Sequence, residues 1–395
     1  MKADPAVKAD PAVAGSHASA MAGPRSRRLA GLDGIRGLAA LYVVADHVFL
    51  RAFPGYPADH APFWAAWLIY GRFAVVVFIV VSGFSLALSP VRHGWRLDAV
   101  SAFAQRRARR ILPPYWAALA FSLMVAWLIV PQPGKGIPDA KSVVVNGLLA
   151  QNIVAAHSPN GAFWTMAVEA QLYLALPLLL LIVRRRGSMA MVGAVLAIVA
   201  AIGIVGPHIP HLNTFVIQSA PDLAALFALG ILAAGIVTAG APRRSWPWGW
   251  LALGAAAPVV ALIWWRGSVW TGHHLYWVDL ALGPAIACLL AALATGRPAR
   301  LARVLDARPT RSLGSFSYSL YLTHAPIVAI VCERIVAGHV APGAPFFLVS
   351  LALVLPLTIV FARLFAALFE LPFQRPRGAP GTATRARPAA HGLPA

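Results

Sequence analysis

The stretch "LDGIRGLAALYVVADHVF", Leu32 to Phe49, is long and apolar enough to begin a membrane helix, yet it carries Asp33 and Arg36 near one end and Asp46 and His47 near the other. Ionisable groups are costly in lipid and are kept there where they face a cavity or one another. A lone cation at a helix end marks the water interface, and a lone histidine can be a packing residue. Here the two lie eleven residues apart on one helix, a separation of about 16 Å at 1.5 Å per residue. The rest of the chain decides whether that spacing is chemical.

Composition narrows the class first. Of 395 residues, 59% are hydrophobic and 12% charged, with a mean hydropathy of +0.71. A soluble domain carries roughly 25% charged residues, so the chain is an integral membrane protein. Its net charge of +20 lies in short clusters between apolar runs, which is a topology signal and argues against nucleic-acid binding. Cys288 and Cys332 fall inside apolar segments, and no disulfide framework or metal-binding CxxC spacing is present. Residues 1–28, with the repeat KADPAVKADPAV, lack the apolar core of a signal peptide and are expected to be disordered. The Pro-, Ala- and Arg-rich tail over 374–395 is expected to be disordered too, leaving 29–373 as one membrane domain.

Ten apolar runs approach the roughly 20 residues a spanning helix needs: 33–50, 65–88, 111–131, 164–183, 188–206, 222–240, 248–265, 275–295, 313–333 and 345–369. The shorter stretch 143–156 is expected to be interfacial or re-entrant. With the N-terminus cytoplasmic and the sides alternating, 25 of the 33 Lys and Arg fall on the inner side. The outer side receives Arg51, Lys135, Lys141, Arg266 and Arg334. This asymmetry supports the assignment. Lipid offers no partner to an open backbone, so each span must be a helix. The expected fold is an all-α polytopic membrane helix bundle of about ten transmembrane helices with both termini cytoplasmic.

That topology places His47 on the first helix, Glu169 on the fourth and His324 on the ninth at broadly similar depths in the outer part of the membrane. Three ionisable residues from separate helices point to a site. On the cytoplasmic side, "FAQRRARRILPPYW" sets Arg106, Arg107, Arg109 and Arg110 just before the third span. Arginine binds phosphate with a planar fork, and the free N–H groups of an opening helix favour an anion. With Arg36 these residues would form a phosphate-binding mouth. Arg36 would hold the charged end of a long cytoplasmic donor and His47 would act where its reactive end emerges. A phosphopantetheine arm suits that separation, and the acceptor would approach from outside.

These motifs resemble the acyltransferase family 3 of integral membrane proteins. "LDGIRGLAALYVVADH" is similar to that family's first helix through Arg36 and His47, and "GRFAVVVFIVVSGF" to its second through Ser82, Gly83 and Phe84. Arg107 and Arg110 match the family's paired arginines, and "FWTMAVEAQLYLALPLLL" matches a later motif through Trp164, Glu169 and Tyr173. "SYSLYLTHAPIV" and "FELPF" resemble the late helices through Tyr318, Tyr321, His324 and Glu370. The resemblance runs over residues 30–373. It departs at Ala170, where the family often has a second acid, and at Ala74 and Val76, where it often has Gly and Asp. Some members carry a C-terminal extracytoplasmic esterase-like domain, which is not expected here because the chain given ends at residue 395, soon after the last helix.

The resemblance implies a membrane O-acyltransferase of the inner (cytoplasmic) membrane. It would move an acyl group, acetyl first among them, from acyl-CoA to a hydroxyl of an extracytoplasmic acceptor such as an envelope or exopolysaccharide sugar. No metal is implied. Neutral His47 would take the hydroxyl proton during attack on the thioester, with Glu169 holding the useful tautomer; a covalent acyl-histidine is equally compatible. Asp46, about 100° around the helix from His47, is expected to point elsewhere. Arg36, Arg107 and Arg110 would bind the donor, while Tyr173 and His324 would position the acceptor and Trp164 would stack on a sugar. The rival reading is a transporter or flippase with His47, Glu169 and His324 as a proton relay. Such proteins often show paired halves, and no internal repeat is visible here.

Overall fold

A run such as "AVVVFIVVSGF" in Ala74–Phe84 is rich in β-branched residues that favour strands in water, yet it lies in the middle of a helix. In lipid the backbone has no other way to satisfy its own N–H and C=O groups. A computed structural model describes residues 29, 31–58, 60–132, 134, 136–238 and 245–374. No strand occurs among them. The tails expected to be disordered lie outside the described residues, except that Gln374 ends the last helix.

In chain order the helices are α1 (Leu32–Ala52), α2 (Arg72–Arg92), α3 (Val100–Leu128), the short α4 (Ala140–Gly147), α5 (Phe163–Arg186), α6 (Ser188–Val205) and the short α7 (Pro210–Ser219). Then come α8 (Asp222–Thr238), α9 (Trp248–His273) and α10 (Leu275–Ala294). The short α11 (Ala299–Leu305) and α12 (Arg308–Ser315) precede α13 (Ser317–Ile330), which runs on as a π turn over Val331–Val336. The last long helix is α14 (Ala344–Phe365), prolonged by turns to Gln374. Eight helices are long and apolar enough to cross a membrane. Two more stand beside them: α8, which is apolar but only 17 residues long, and α1, 21 residues interrupted by the four charges of Asp33, Arg36, Asp46 and Arg51. These ten correspond to the ten apolar runs. Their outward faces are apolar, with Trp264 87% and Leu174 77% exposed, as a lipid-facing surface requires.

Contacts fix which helix ends lie together. Arg36 near the start of α1 donates to Ser85 late in α2 at 2.7 Å. Tyr318 at the start of α13 reaches the Ile111 carbonyl of α3 at 3.1 Å, and Ser319 donates to Glu370 at 2.5 Å. We call this the basic end. At the far end, Arg51 pairs with Glu333, and Arg72 pairs with Asp222 of α8 and Asp279 of α10 at 3.4 and 2.7 Å. The described chain enters and leaves at the basic end, where Asp33 and Gln374 line the same cavity.

Two span starts differ most from expectation. The second span starts at Arg72 rather than 65, because Ala66–Tyr70 forms a separate 3₁₀ turn. Trp67 of that turn stacks on Tyr42 of α1 at 5.2 Å, and Tyr42 donates to the Trp67 carbonyl at 2.8 Å. The apolar run therefore folds against α1 instead of extending α2. Helix α3 begins at Val100, so the arginines at 106–110 lie in its second and third turns. Nothing between Asp98 and Pro113 breaks a helix, and the free N–H groups of its first turn precede the arginines.

Helices approach closely where glycine removes the side chain, as in other membrane bundles. A Cβ on Gly83 of α2 would strike the Phe227 carbonyl of α8, and one on Gly230 of α8 would lie 2.7 Å from the Phe84 nitrogen of α2. Gly34 and Gly37 of α1 likewise admit Leu305 and Gly314. Gly230→Val should therefore lower stability by about 1–3 kcal/mol or more. Gly254→Val on the open face of α9, where nothing lies within 4 Å, should leave it nearly unchanged. Thermal unfolding of the purified protein in detergent checks the contrast, and equal melting temperatures would contradict the α2–α8 contact.

Candidate functional site

Two groups of polar side chains occupy the bundle, one after the other along its axis. Nearest the basic end is a cavity of about 460 Å³ between α1, α2, α3, α5, α13 and the chain's last described turns. Arg36, Arg107 and Arg110 stand on its side toward the basic end, with Arg110 exposed. Arg107 lines this cavity, and its buried Nε has no hydrogen-bond partner. Further in, Ser82 donates to Glu169 at 2.9 Å, and Tyr173 donates to the same carboxylate oxygen. Phe78, Thr165 and Tyr321 line the cavity too, with the Thr165 and Tyr321 hydroxyls 2.7 Å apart and the Phe78 and Tyr321 rings edge to face at 5.5 Å.

Beyond Tyr321 stand two imidazoles. His324 lies 5.7 Å from Tyr321 between ring centroids and meets His47 edge to face at 4.8 Å. Neither histidine lines the cavity. The Nδ1 of His47 sits 2.9 Å from the Val43 carbonyl, and that of His324 sits 2.7 Å from the Tyr321 carbonyl. A carbonyl only accepts, so in the neutral rings Nδ1 carries the hydrogen and Nε2 keeps its lone pair. His324 is fully buried, and its Nε2 has no partner. His47 keeps 27% side-chain exposure, which leaves room for a second reactant.

The depth of α5 is set by a proline in α13. Pro326 has no N–H to give, so the Leu322 carbonyl four residues earlier loses its helical donor. Asn160 replaces it, donating to Leu322 at 2.8 Å and to Ser122 of α3 at 3.2 Å, while its own carbonyl accepts from the Ala162 N–H at 2.9 Å. The segment just before α5 is thus drawn into the bundle at Asn160. Gln151 adds a bond to the Phe163 carbonyl at 2.7 Å, and Asn152 and Gln171 exchange bonds at 3.1 and 2.9 Å. Consequently α5 starts inside the bundle and carries Glu169 toward the basic end.

This placement corrects two expected partnerships. Glu169 bonds to Ser82 and Tyr173, whereas the partners of His47 are Val43, Asp46 and His324. Glu169 therefore belongs to the cavity, not to the imidazole it was expected to orient. Asp46 does not point elsewhere, since its Oδ2 lies 3.3 Å from His47 Nδ1. Tyr173 also stands in the cavity with Glu169, apart from His324. Trp164 is turned to the far-end ion cluster, its ring 5.1 Å from the Arg72 guanidinium. The helix-start contribution to anion binding at 106–110 is lost with the earlier start of α3, and the arginine side chains alone supply the charge. Sequence reasoning missed Ser85, Thr165, Asn160 and the Arg72–Asp222–Asp279 cluster. Only Asn160 left a usable trace, in the proline at 326 that requires a donor from elsewhere. Among the described residues no group of three or more His, Cys, Asp or Glu is arranged to hold a metal ion.

The family described as "Acyltransferase domain" matches residues 29–363. The chain is 24% identical over 371 residues to "O-acetyltransferase OatA" of Staphylococcus aureus, covering 88% of this chain and 58% of that protein. It is 26% identical over 329 residues to "Acyltransferase MdmB" of Streptomyces mycarofaciens, covering 77% and 80%. A third relative, "Nodulation protein 10" of Rhizobium leguminosarum bv. viciae, is 25% identical over 222 residues, covering 51% and 58%. The chain thus spans less than two thirds of the length of two of these three relatives. No solved structure matches it. With the family match extending over most of its length, from the first helix through α14, the chain belongs to the acyltransferase family 3 of multi-pass membrane proteins.

Proposed function

We propose that this protein is an O-acyltransferase of the inner (cytoplasmic) membrane. It moves an acyl group, acetyl in the first instance, from cytoplasmic acyl-CoA to a hydroxyl of an extracytoplasmic acceptor such as an envelope or exopolysaccharide sugar. The observation that carries this reading is the sequence of groups along the bundle axis. Three arginines stand at the basic end of a cavity, and Tyr321 in its lining neighbours the His324–His47 pair. A proton relay would give that arginine-lined cavity no task.

In this reading the CoA phosphates meet Arg36, Arg107 and Arg110, whose forked donors suit them. The pantetheine arm passes Ser82, Glu169 and Tyr173, and the thioester reaches the histidines. His47 Nε2 takes the proton of the acceptor hydroxyl as its oxygen attacks the thioester carbon. The tetrahedral intermediate then expels the sulfur as the C–S bond breaks, and the proton on Nε2 passes to the departing thiolate. The products are the acyl ester and free CoA. His324, buried and edge-on to His47, would help orient the acceptor there. Trp164 would shape the far-end approach through Arg72. The name of the relative O-acetyltransferase OatA favours an acetyl group.

Three outcomes follow. Arg107→Ala should weaken acetyl-CoA binding by about 1.5–3 kcal/mol, the value of a hydrogen bond to a charged group. Calorimetric titration of the purified protein measures it, and wild-type affinity would reduce the arginines to a topology signal. His47→Gln should lower turnover at saturating acetyl-CoA by about 10²–10⁴-fold while CoA binding persists. Full turnover by that variant would remove His47 from the chemistry. A cysteine at Arg185 should react with a membrane-impermeant thiol reagent only after permeabilisation, and one at Pro207 should react in intact cells; the reverse pattern would invert the donor side.

A further inference from the structure

His47 has a carboxylate beside it that the account so far leaves unused. Asp46 is 6% exposed, and its Oδ2 lies 3.3 Å from His47 Nδ1. Room for it is made by Gly71, just ahead of α2, where a Cβ would fall on the Asp46 side chain. Among the described residues, His47 is the ion-pair partner of Asp46, and neutral imidazole gives a buried carboxylate no counter-charge. Burying a carboxylate without a cation is expensive. The cost falls when His47 becomes imidazolium, which in the proposed reaction occurs only as the acceptor hydroxyl is deprotonated.

We propose that Asp46 is a positioning residue for this reaction: its carboxylate stabilises the His47 imidazolium that forms as the acceptor attacks. The inference rests on the O-acyltransferase reading above and deepens its site. The two groups facing Nδ1 divide the work. The Val43 carbonyl at 2.9 Å sets the tautomer, leaving Nε2 as the base. The Asp46 charge favours the protonated ring, so its stabilisation grows toward the transition state and contributes to rate rather than to donor affinity. The proton goes from the acceptor hydroxyl to Nε2 and then to the CoA thiolate; Asp46 takes none. The other titratable groups at this turn are His324 on α13, edge-on to His47, Tyr42 one turn back on α1, and Tyr70 from the 3₁₀ turn. None of these supplies a negative charge in its neutral form. Glu169, the acid expected in this role, is held by Ser82 and Tyr173 in the cavity.

The test uses the full chain in proteoliposomes with acetyl-CoA as donor and extracted envelope glycan of the host as acceptor, following CoA thiol release and alkali-labile acetate. Asp46→Asn keeps the shape and removes the charge. It should lower kcat by about 10-fold or more, as expected when a charge aimed at a developing opposite charge is removed. KM for acetyl-CoA should not change. In a His47→Gln background, Asp46→Asn should cost nothing further, because a group acting only through His47 has nothing left to act on. Gly71→Ala crowds the carboxylate from the other side and should reproduce the kcat loss, again without effect in the His47→Gln background. It decides the matter if Asp46→Asn does not fold. Wild-type kcat in Asp46→Asn, with His47→Gln inactive, overturns the proposal and leaves the acyltransferase reading standing. So does an equal loss in both backgrounds, which marks a structural role. Full activity of His47→Gln overturns the general-base assignment itself, and Asp46 falls with it.

Discussion

Pro326 leaves one carbonyl of α13 without a donor, and the Asn160 amide supplies it at 2.8 Å. In water the Leu322 carbonyl would simply be solvated. Inside a membrane bundle an unsatisfied backbone group costs several kcal/mol, so the chain ahead of α5 has to come to it. That single bond sets the register of the site. It draws the segment before Phe163 between α3 and α13, starts α5 inside the bundle, and so places Glu169 and Tyr173 against Ser82 on α2. It also anchors the Leu322 turn, from which Tyr321 faces the cavity and His324 faces His47.

The result is a division of polar chemistry along one axis. Arg36, Arg107 and Arg110 collect at the basic end, and the buried Nε of Arg107 has no hydrogen-bond partner. Two imidazoles with Nδ1 committed to their own helices and Nε2 uncommitted stand deeper, behind an aromatic and hydroxyl wall. The far end is tied by ion pairs, Arg51 with Glu333 and Arg72 with two aspartates. Asp222 and Asp279 are buried, so removing Arg72 would leave uncompensated charge and cost far more than losing an exposed pair. These far-end pairs connect α1 to α13 and α2 to α8 and α10, the helices that frame the reacting groups. The cavity's polar groups and the far-end ion pairs are thereby kept apart.

The helical bundle was legible because a spanning helix needs a long apolar run; the ten runs fall on ten helices, eight of them long and apolar enough to cross a membrane. Arg36 and His47 were legible because a charge in a membrane helix demands a reason. Boundaries failed where an apolar run serves two purposes: Ala66–Tyr70 is hydrophobic enough to extend α2 but packs as a separate turn against α1. The partner of His47 was misread because a helical wheel shows backbone direction only. The His47 ring turns back toward Val43, as helical side chains commonly do, and this brings Nδ1 to the adjacent carboxylate. Glu169 was misplaced because its depth depends on a tertiary bond 162 residues away in sequence, between Asn160 and Leu322.

The central claim is that the acyl group travels from the arginine end of the bundle to the histidines near its other end. Vesicles containing the oriented protein, with glycan acceptor sealed inside and radiolabelled acetyl-CoA supplied only outside at the basic end, test this directly. The account predicts label in the sealed glycan, with CoA released on the outer face and no acetyl-CoA inside. Label appearing only when donor and acceptor share one side of the membrane would contradict it.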